Sequence, residues 1–340
     1  MKHVTIKDIA NKLNLSISSV SRAFNDKYDI KKETKELVLK TAEEMGYIPN
    51  PIAKKLSQNK TFNIGVVVPE FINEFYSEVL IAIQDILVPK GYQILIMQSD
   101  EDPEQELKNV KTLINNMVDG LIIAPTTGNH EINMDFYLKR YNNGHPTVFM
   151  SRIDESIHVP KVLFDNKKWS FFATEHLIRQ GYKKIYYLSG YKSLGVCQNR
   201  INGFLKAMNK NKIKPENYKV IETGLFANEG MNVMEDLIYK HDIPEALFCF
   251  NDWVAIGAIK ALKKNAFNVP EDVAVMGFTE TRMAGLITPQ LSSVKQPTRE
   301  YGIKSAEILL NQIENNIFDN ETTILNGVLN NRESTPSKNK

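Results

Sequence analysis

The sequence predicts two structural classes in one chain: an all-α helix-turn-helix head with a short hinge helix, followed by a two-lobed α/β core with parallel sheets. Three observations carry this expectation. Apolar residues recur at helical spacing through the first segment, whereas short β-branched runs alternate with amphipathic stretches through the rest. Those runs are too numerous for one compact sheet of usual size, so they divide into two lobes. Charge is also unevenly placed. Residues 1–60 hold 12 Lys/Arg against 7 Asp/Glu, a net of +5, and the remainder holds 30 against 33, a net of −3. A basic end on a mildly acidic body is expected where the first segment meets a polyanion.

In the head, Thr5 precedes Ile6, Ile9, Ala10 and Leu13, with Asp8 three residues on, which predicts a capping-box start to a first helix. Asn14 ends it. Ser16 then caps a second helix, with Ile17, Val20, Ala23 and Phe24 expected inward and Ser18, Ser19, Ser21 and Arg22 outward. A third helix runs from about Lys32 to Glu44, with Leu37, Val38, Thr41, Ala42 and Met45 inward and Gly46 as its stop. Two helices joined by a tight turn and braced by a third form a unit whose second helix can lie in the major groove. There, hydroxyls reach phosphates and an arginine can take guanine bidentately.

The stretch YIPNPIAKKLSQNK follows, from Tyr47 to Lys60. Asn50 caps a helix with Pro51 at its first position and Ile52, Ala53 and Leu56 on one face. A helix barely two turns long is unstable alone in water, so it needs a partner copy, a DNA groove, or both.

These segments, VTIKDIANKLNLSISSVSRAFN and ETKELVLKTAEEMGYIPNPIAKKL, resemble the DNA-binding head and hinge of the lactose-repressor (LacI-type) family. The resemblance implies a homodimeric transcription regulator, in the main a repressor, whose hinge helices order on double-stranded operator DNA. It places Thr5, Ser16, Ser19, Ser21, Asn25, Thr34 and Asn50 at backbone contacts. It places Ile17, Ser18 and Arg22 at base edges, and Ala53 and Leu56 in the minor groove, Leu56 as a wedge. One departure is the loop DKYDIKKET, which carries Asp29 and no glycine where the family often has neutral or basic groups.

From Phe62 on, the strand-like runs are NIGVVVP, YQILIMQ, DGLIIAP, TVFMS, KIYYLSG, YKVIET, ALFCFND and VAVMGFT, interleaved with helices near Glu74–Val88, Pro103–Met117 and Asn133–Asn142 and beyond. Continuous apolar strands of this kind are buried on both faces. No GxGxxG or GxxxxGK[ST] follows a strand, so no nucleotide cofactor is expected. This body resembles the periplasmic-binding-protein-like core of the same family through HLIRQGYKKIYYLSG, NRINGFLKAM, ALFCFNDWVAIGAIKAL, VPEDVAVMGF and PQLSSVKQPTREYG, among others. That core crosses between lobes three times and binds a small effector in the cleft at the strands' C-terminal ends.

The expected divisions are head 1–46, hinge 47–60, core 61–335 and polar tail 336–340. Within the core, the N-lobe takes about 61–161 and 291–320 and the C-lobe about 162–290 and 321–335, with NNREST as the closing strand. The effector, expected to be a sugar or sugar derivative, would meet Arg200, the family's ligand-gripping arginine. Asn251 and Asp252 end a strand at the cleft, Asp165 ends VLFD, and Phe71, Phe75 and Tyr76 are placed to stack on a sugar face; Trp253 is expected in the core. Thr279 stands where many family members carry an aspartate that holds sugar hydroxyls, so the effector's identity does not carry over.

The remaining features exclude more than they assign. No run of about 18 apolar residues is present to span a membrane. MKHVTIKDIA lacks a signal peptide's apolar stretch, which predicts a cytoplasmic protein and weighs against a solute-binding protein of a transport system. Cys197 and Cys249 are isolated, and six histidines show no metal spacing; no nucleophile elbow or carboxylate pair suggests an enzyme.

Overall fold

The structure, a computed structural model, describes residues 4–24, 30–47, 60–72, 74–126, 131–153, 156–192 and 195–338. The chain divides into two compact units, Met1–Thr61 and Phe62–Lys340.

In the first unit, helices α1 (Ile6–Leu13), α2 (Ile17–Phe24) and α3 (Lys32–Glu44) enclose a small core of Ile9, Ala10, Val20, Ala23, Val38 and Ala42. The predicted starts and stops hold. Thr5 and Asp8 cap α1 reciprocally, Asn14 turns left-handed after it, and Gly46 (φ 66°) follows α3. Two inward assignments do not hold: Ile17 is 52% and Leu37 51% exposed. The core is centred on Val20 and Ala23 of α2 and on Val38, Thr41 and Ala42 of α3. Ile17, at the very start of α2, and Leu37, on the flank of α3, fall outside it.

The second unit holds two six-stranded sheets. The first contains β1 (Asn63–Val68), β2 (Gln93–Gln98), β3 (Gly120–Ile123), β4 (Thr147–Met150), β5 (Lys161–Phe164) and β11 (Thr322–Leu325), ordered β11-β5-β4-β3-β1-β2 and parallel throughout. One face packs Val66, Ile122 and Val148 with α4 (Glu74–Leu87) and α11 (Thr298–Asn315). The other packs Val67, Leu121, Ile123 and Phe149 with α5 (Pro103–Asn115) and α6 (Glu131–Asn142). Two covered faces explain why these strands read as unbroken apolar runs.

The second sheet contains β6 (Ile185–Ser189), β7 (Tyr218–Glu222), β8 (Ala246–Cys249), β9 (Ala274–Thr279), β10 (Ser292–Lys295) and β12 (Val328–Asn330), ordered β12-β10-β9-β8-β6-β7. Only β12 runs antiparallel, against β10. Helices α7 (Asn166–Arg179), α8 (Gly195–Lys210), α9 (Ala227–Tyr239) and α10 (Asp252–Lys264) cover it.

The chain passes between lobes three times: between Phe164 and Asn166, between Lys295 and Thr298, and between Leu325 and Val328. Each passage corrects the expected limits in the same sense. β5 and β11 belong to the first sheet and β10 to the second, because the chain completes a strand before it crosses at that strand's C-terminal end. NNREST is not a strand beyond Asn330; it turns, and Ser334 and Thr335 are buried against Val275 and Ser292. The expected polar tail is tied down at its start, where Lys338 N–H donates to the Gln180 carbonyl at 2.8 Å.

Candidate DNA interface and effector cleft

In the head, Thr5 N–H donates to Asp8 Oδ2 at 2.8 Å and Asp8 N–H to Thr5 Oγ1 at 3.4 Å. Ser16 Oγ accepts from Ser19 N–H at 3.0 Å and lies 2.8 Å from the hydroxyls of both Ser18 and Ser19. Helical residues advance by about 100°, which sets Ser18 and Arg22 opposite Val20 and Ala23. Ser16, Ile17, Ser18 and Arg22 are exposed, while Ser19, Ser21 and Thr34 are half-buried. α2 therefore presents hydroxyls, one guanidinium and one aliphatic side chain outward. Asn25, Asn50, Ala53 and Leu56 lie outside the described residues, as does Asp29.

Between the lobes is a cavity of about 220 Å³. Its polar side chains include Arg200, Arg152, Glu70, Asn166, Asn251, Ser151, Thr279 and Gln296, and its apolar wall is built mainly from Ile72, Phe75, Val196, Leu225, Phe226, Phe250 and Trp253. Arg200, on α8, is 4% exposed. Its Nε donates to Asn166 Oδ1 at 2.9 Å and its Nη1 to the Phe250 carbonyl at 2.6 Å. The guanidinium carbon lies 4.5 Å from the Phe250 ring centre and 3.8 Å from that of Phe278. Burial pushes this guanidinium down to about 10. Arg152, by contrast, is paired with Glu101. Tyr76 is pushed up to about 12 by burial.

Thr279 (φ 108°) and Glu280 (φ 59°) are both left-handed. The turn they form is anchored from behind by Asp252, whose Oδ2 accepts from Thr281 N–H at 2.5 Å and whose Oδ1 accepts from Ser293 Oγ at 2.6 Å. Asp252 is fully buried, and burial pushes its carboxyl up to about 7. Glu280 pairs with Arg332, one contact being 3.0 Å. At the cleft's rim the lobes are joined by Glu74, which accepts from Arg282 N–H at 2.9 Å and pairs with Arg282 Nε at 3.2 Å.

Comparison with known proteins places this geometry. The model for periplasmic binding proteins and the sugar binding domain of the LacI family matches residues 61–333, and that for bacterial regulatory proteins of the lacI family matches residues 5–50. This chain belongs to the LacI family of bacterial transcriptional regulators. The regulator is 32% identical over 338 residues to the probable HTH-type transcriptional regulator EndR of Paenibacillus polymyxa, covering 97% of this chain and 98% of that protein. It is 29% identical over 334 residues to catabolite control protein A of Priestia megaterium, covering 98% and 99%. Its fold matches the crystal structure of a lac repressor dimer bound to operator and the anti-inducer ONPF, with TM-score 0.87 and 24% identity, covering 98% of this chain and 100% of that one.

Of the cleft residues expected in this LacI-family regulator, Phe75, Tyr76, Arg200, Asn251 and Thr279 line the cavity. Asn251 does so with its amide committed, since Oδ1 accepts from Val254 N–H and Nδ2 donates to the Leu225 carbonyl. Asp165, Asp252 and Phe71 do not line it. Asp165 caps α7 by accepting from Lys168 N–H at 2.8 Å, leaving the next residue, Asn166, to face the cavity. Asp252 faces the back of the Thr279–Thr281 turn, and Phe71 is 44% exposed beyond the wall that Ile72 supplies. Trp253 corrects the expectation of a core residue: it opens α10 beside the Asn251 cap and lines the cavity at 39% exposure. Arg152, Ser151, Gln296 and Tyr301 were missed; they sit in loops, a crossover segment and a helix that only the folded topology brings together.

Proposed function

We propose that this LacI-family regulator represses transcription as a homodimer on operator DNA and that a small, carbohydrate-like effector bound between its lobes controls that binding. The observation that carries the reading is α2: an inward apolar side of Val20 and Ala23 set against an outward side of Ser18 and Arg22. That pattern suits backbone contacts from the hydroxyls and base reading from the guanidinium. We assign backbone contacts to Thr5, Ser16, Ser19, Ser21 and Thr34, with Asn25 and Asn50 added from the sequence. Ile17, Ser18 and Arg22 read bases, and Ala53 and Leu56 enter the minor groove. In support, one matched structure is of a repressor dimer bound to its operator.

The effector set we propose is Phe75, Tyr76, Arg152, Arg200, Trp253, Thr279 and Gln296. An effector changes operator affinity only if it favours one lobe arrangement over another, and the Glu74–Arg282 pair lies across the opening on which such a change would act. We read the cleft as binding rather than catalytic, and the site of action as the cytoplasm. A transport solute-binding role accounts for the core but leaves residues 5–50 without a use. The test is a footprint of the full chain on its own genomic neighbourhood, with and without candidate sugars and sugar derivatives. Protection of a discrete site, altered by a compound that also binds the isolated protein, is expected. Protection that no cleft-binding compound alters would remove the effector from the account.

A further inference from the structure

Two packed helices on the second sheet carry a charge that the rest of the core does not. α7, α8 and the turns after them, residues 166–180 and 195–214, hold eight Lys/Arg against one acid, Glu175. Residues 61–340 carry a net of −3, so without these segments the core stands at −10. All of these cations except Arg200 are exposed. Glu175 is buried and already shared by Arg179 at 3.1 Å and Lys210 at 3.0 Å. Among the described residues no carboxylate pairs with Lys167, Lys168 or Lys206.

The packing draws several of these cations into one strip. α7 and α8 approach closely because position 203 is a glycine: a Cβ there would lie 2.2 Å from the Lys167 carbonyl oxygen. Lys206 and Lys210, one helical turn apart, reach across to α7 and hold their ammonium groups 5.5 and 5.0 Å from the centre of the Phe171 ring. The ring offsets part of the repulsion between them. Beside it Phe172 is 41% exposed, its ring centre 5.7 Å from those of both Phe171 and Trp169. An open aromatic ground therefore lies among unpaired cations. Like charges gathered in this way repel one another on a free surface and favour cover of the opposite sign.

We propose that this face of α7 and α8 docks an acidic segment of another protein, with carboxylates meeting Lys167, Lys206 and Lys210 and an apolar side chain covering Phe172. Charge complementarity sets the sign of the partner, and the exposed ring sets its class. Protein–protein interfaces are enriched in aromatic side chains at their centres, whereas the outer surface of a nucleic-acid duplex offers phosphates and sugars. The docked segment would bear on α8, whose buried side carries Arg200 into the cleft, and its docking does not depend on which effector fills that cleft.

The test uses the full chain with its heads saturated by unlabelled duplex DNA, and two fluorescent probes. Poly-L-glutamate supplies charge alone, and a random copolymer of glutamate and tyrosine adds aromatic rings. The copolymer should bind, and more tightly than poly-L-glutamate. Lys167→Glu/Lys206→Glu should weaken copolymer binding at least about tenfold, one decade of the binding constant. Lys108→Glu/Lys260→Glu, the same change of charge elsewhere on the core, should leave it within about twofold. Phe172→Ser should remove the copolymer's advantage over poly-L-glutamate. All five positions are exposed, and Lys167→Gln/Lys206→Gln serves if the charge reversal disturbs thermal unfolding. The docking surface is overturned if the wild-type chain does not bind the copolymer, if the two double variants bind it alike, or if Phe172→Ser leaves the advantage intact. If binding of labelled duplex falls in Lys167→Glu/Lys206→Glu as far as copolymer binding does, the face holds nucleic acid and the assignment to a protein partner is lost.

Discussion

Asp252→Asn should change how the core's stability depends on pH, by an amount the structure sets. Burial pushes the Asp252 carboxyl up to about 7, whereas an aspartate in an unfolded chain titrates near ~3.9. Between those values the folded protein holds a proton that the unfolded chain has released. The sign follows: the stability this group contributes is complete below the unfolded value and is lost as pH rises through the folded one. The slope is at most about 1.4 kcal/mol per pH unit, or about 4 kcal/mol across the window. Asparagine is the neutral isostere. Its oxygen can keep the bond from Thr281 N–H, and its amide then faces Ser293 Oγ. The variant's advantage over wild type should therefore grow from about 1–2 kcal/mol near pH 5 to about 4 kcal/mol near pH 8. Urea unfolding of both proteins over that range reads the difference directly. A difference that stays constant with pH would refute the burial argument. Asp252→Ala, which removes the anchor of the left-handed Thr279–Glu280 turn, should also weaken effector binding, because Thr279 faces the cavity.

Other outcomes follow from the same contacts. Arg22→Ala should cost about 1–3 kcal/mol of operator affinity and relax preference at one base position, read by competition with single-base operator variants. Thr5→Ala removes one side of the α1 capping box and should destabilise the head by about 1 kcal/mol, visible in the head's own thermal transition. Glu74→Gln keeps the side chain's size but cancels its charge towards Arg282. Because Arg282 is largely exposed, stability should change by less than about 1 kcal/mol, while effector affinity and small-angle scattering report any shift in lobe closure.

Much of the fold was legible because its signals are local. Thr5 and Asp8, Asn14, Ser16 and Gly46 mark helix ends by chemistry that acts within four residues, and the β-branched runs mark strands directly. The lobe limits were legible only approximately. β5, β10 and β11 look the same in sequence whichever sheet they join, and strand order is a long-range property. In the site, Arg200 could be read from its motif, but Asp165 and Asp252 could not be resolved. A carboxylate between a strand and a helix serves equally well as a cap, a turn anchor or a ligand until its neighbours are placed. Here Lys168 N–H claims the first, and Thr281 and Ser293 claim the second. Gln296 carried no local signal, since it becomes a cavity residue only through the chain's passage between lobes, and Arg152 only because the loop after β4 meets the cavity.

The central claim is that residues 1–60 read DNA and the rest of the chain controls that reading. The most direct measurement compares binding of a footprinted genomic site by the full chain and by a chain beginning at residue 61, across a salt series. The full chain should bind that site in preference to scrambled DNA, with a steep fall in affinity as salt rises, because several phosphates are neutralised per complex. The shortened chain should lose all preference while its core still unfolds cooperatively. Specific binding retained without residues 1–60 would contradict the account.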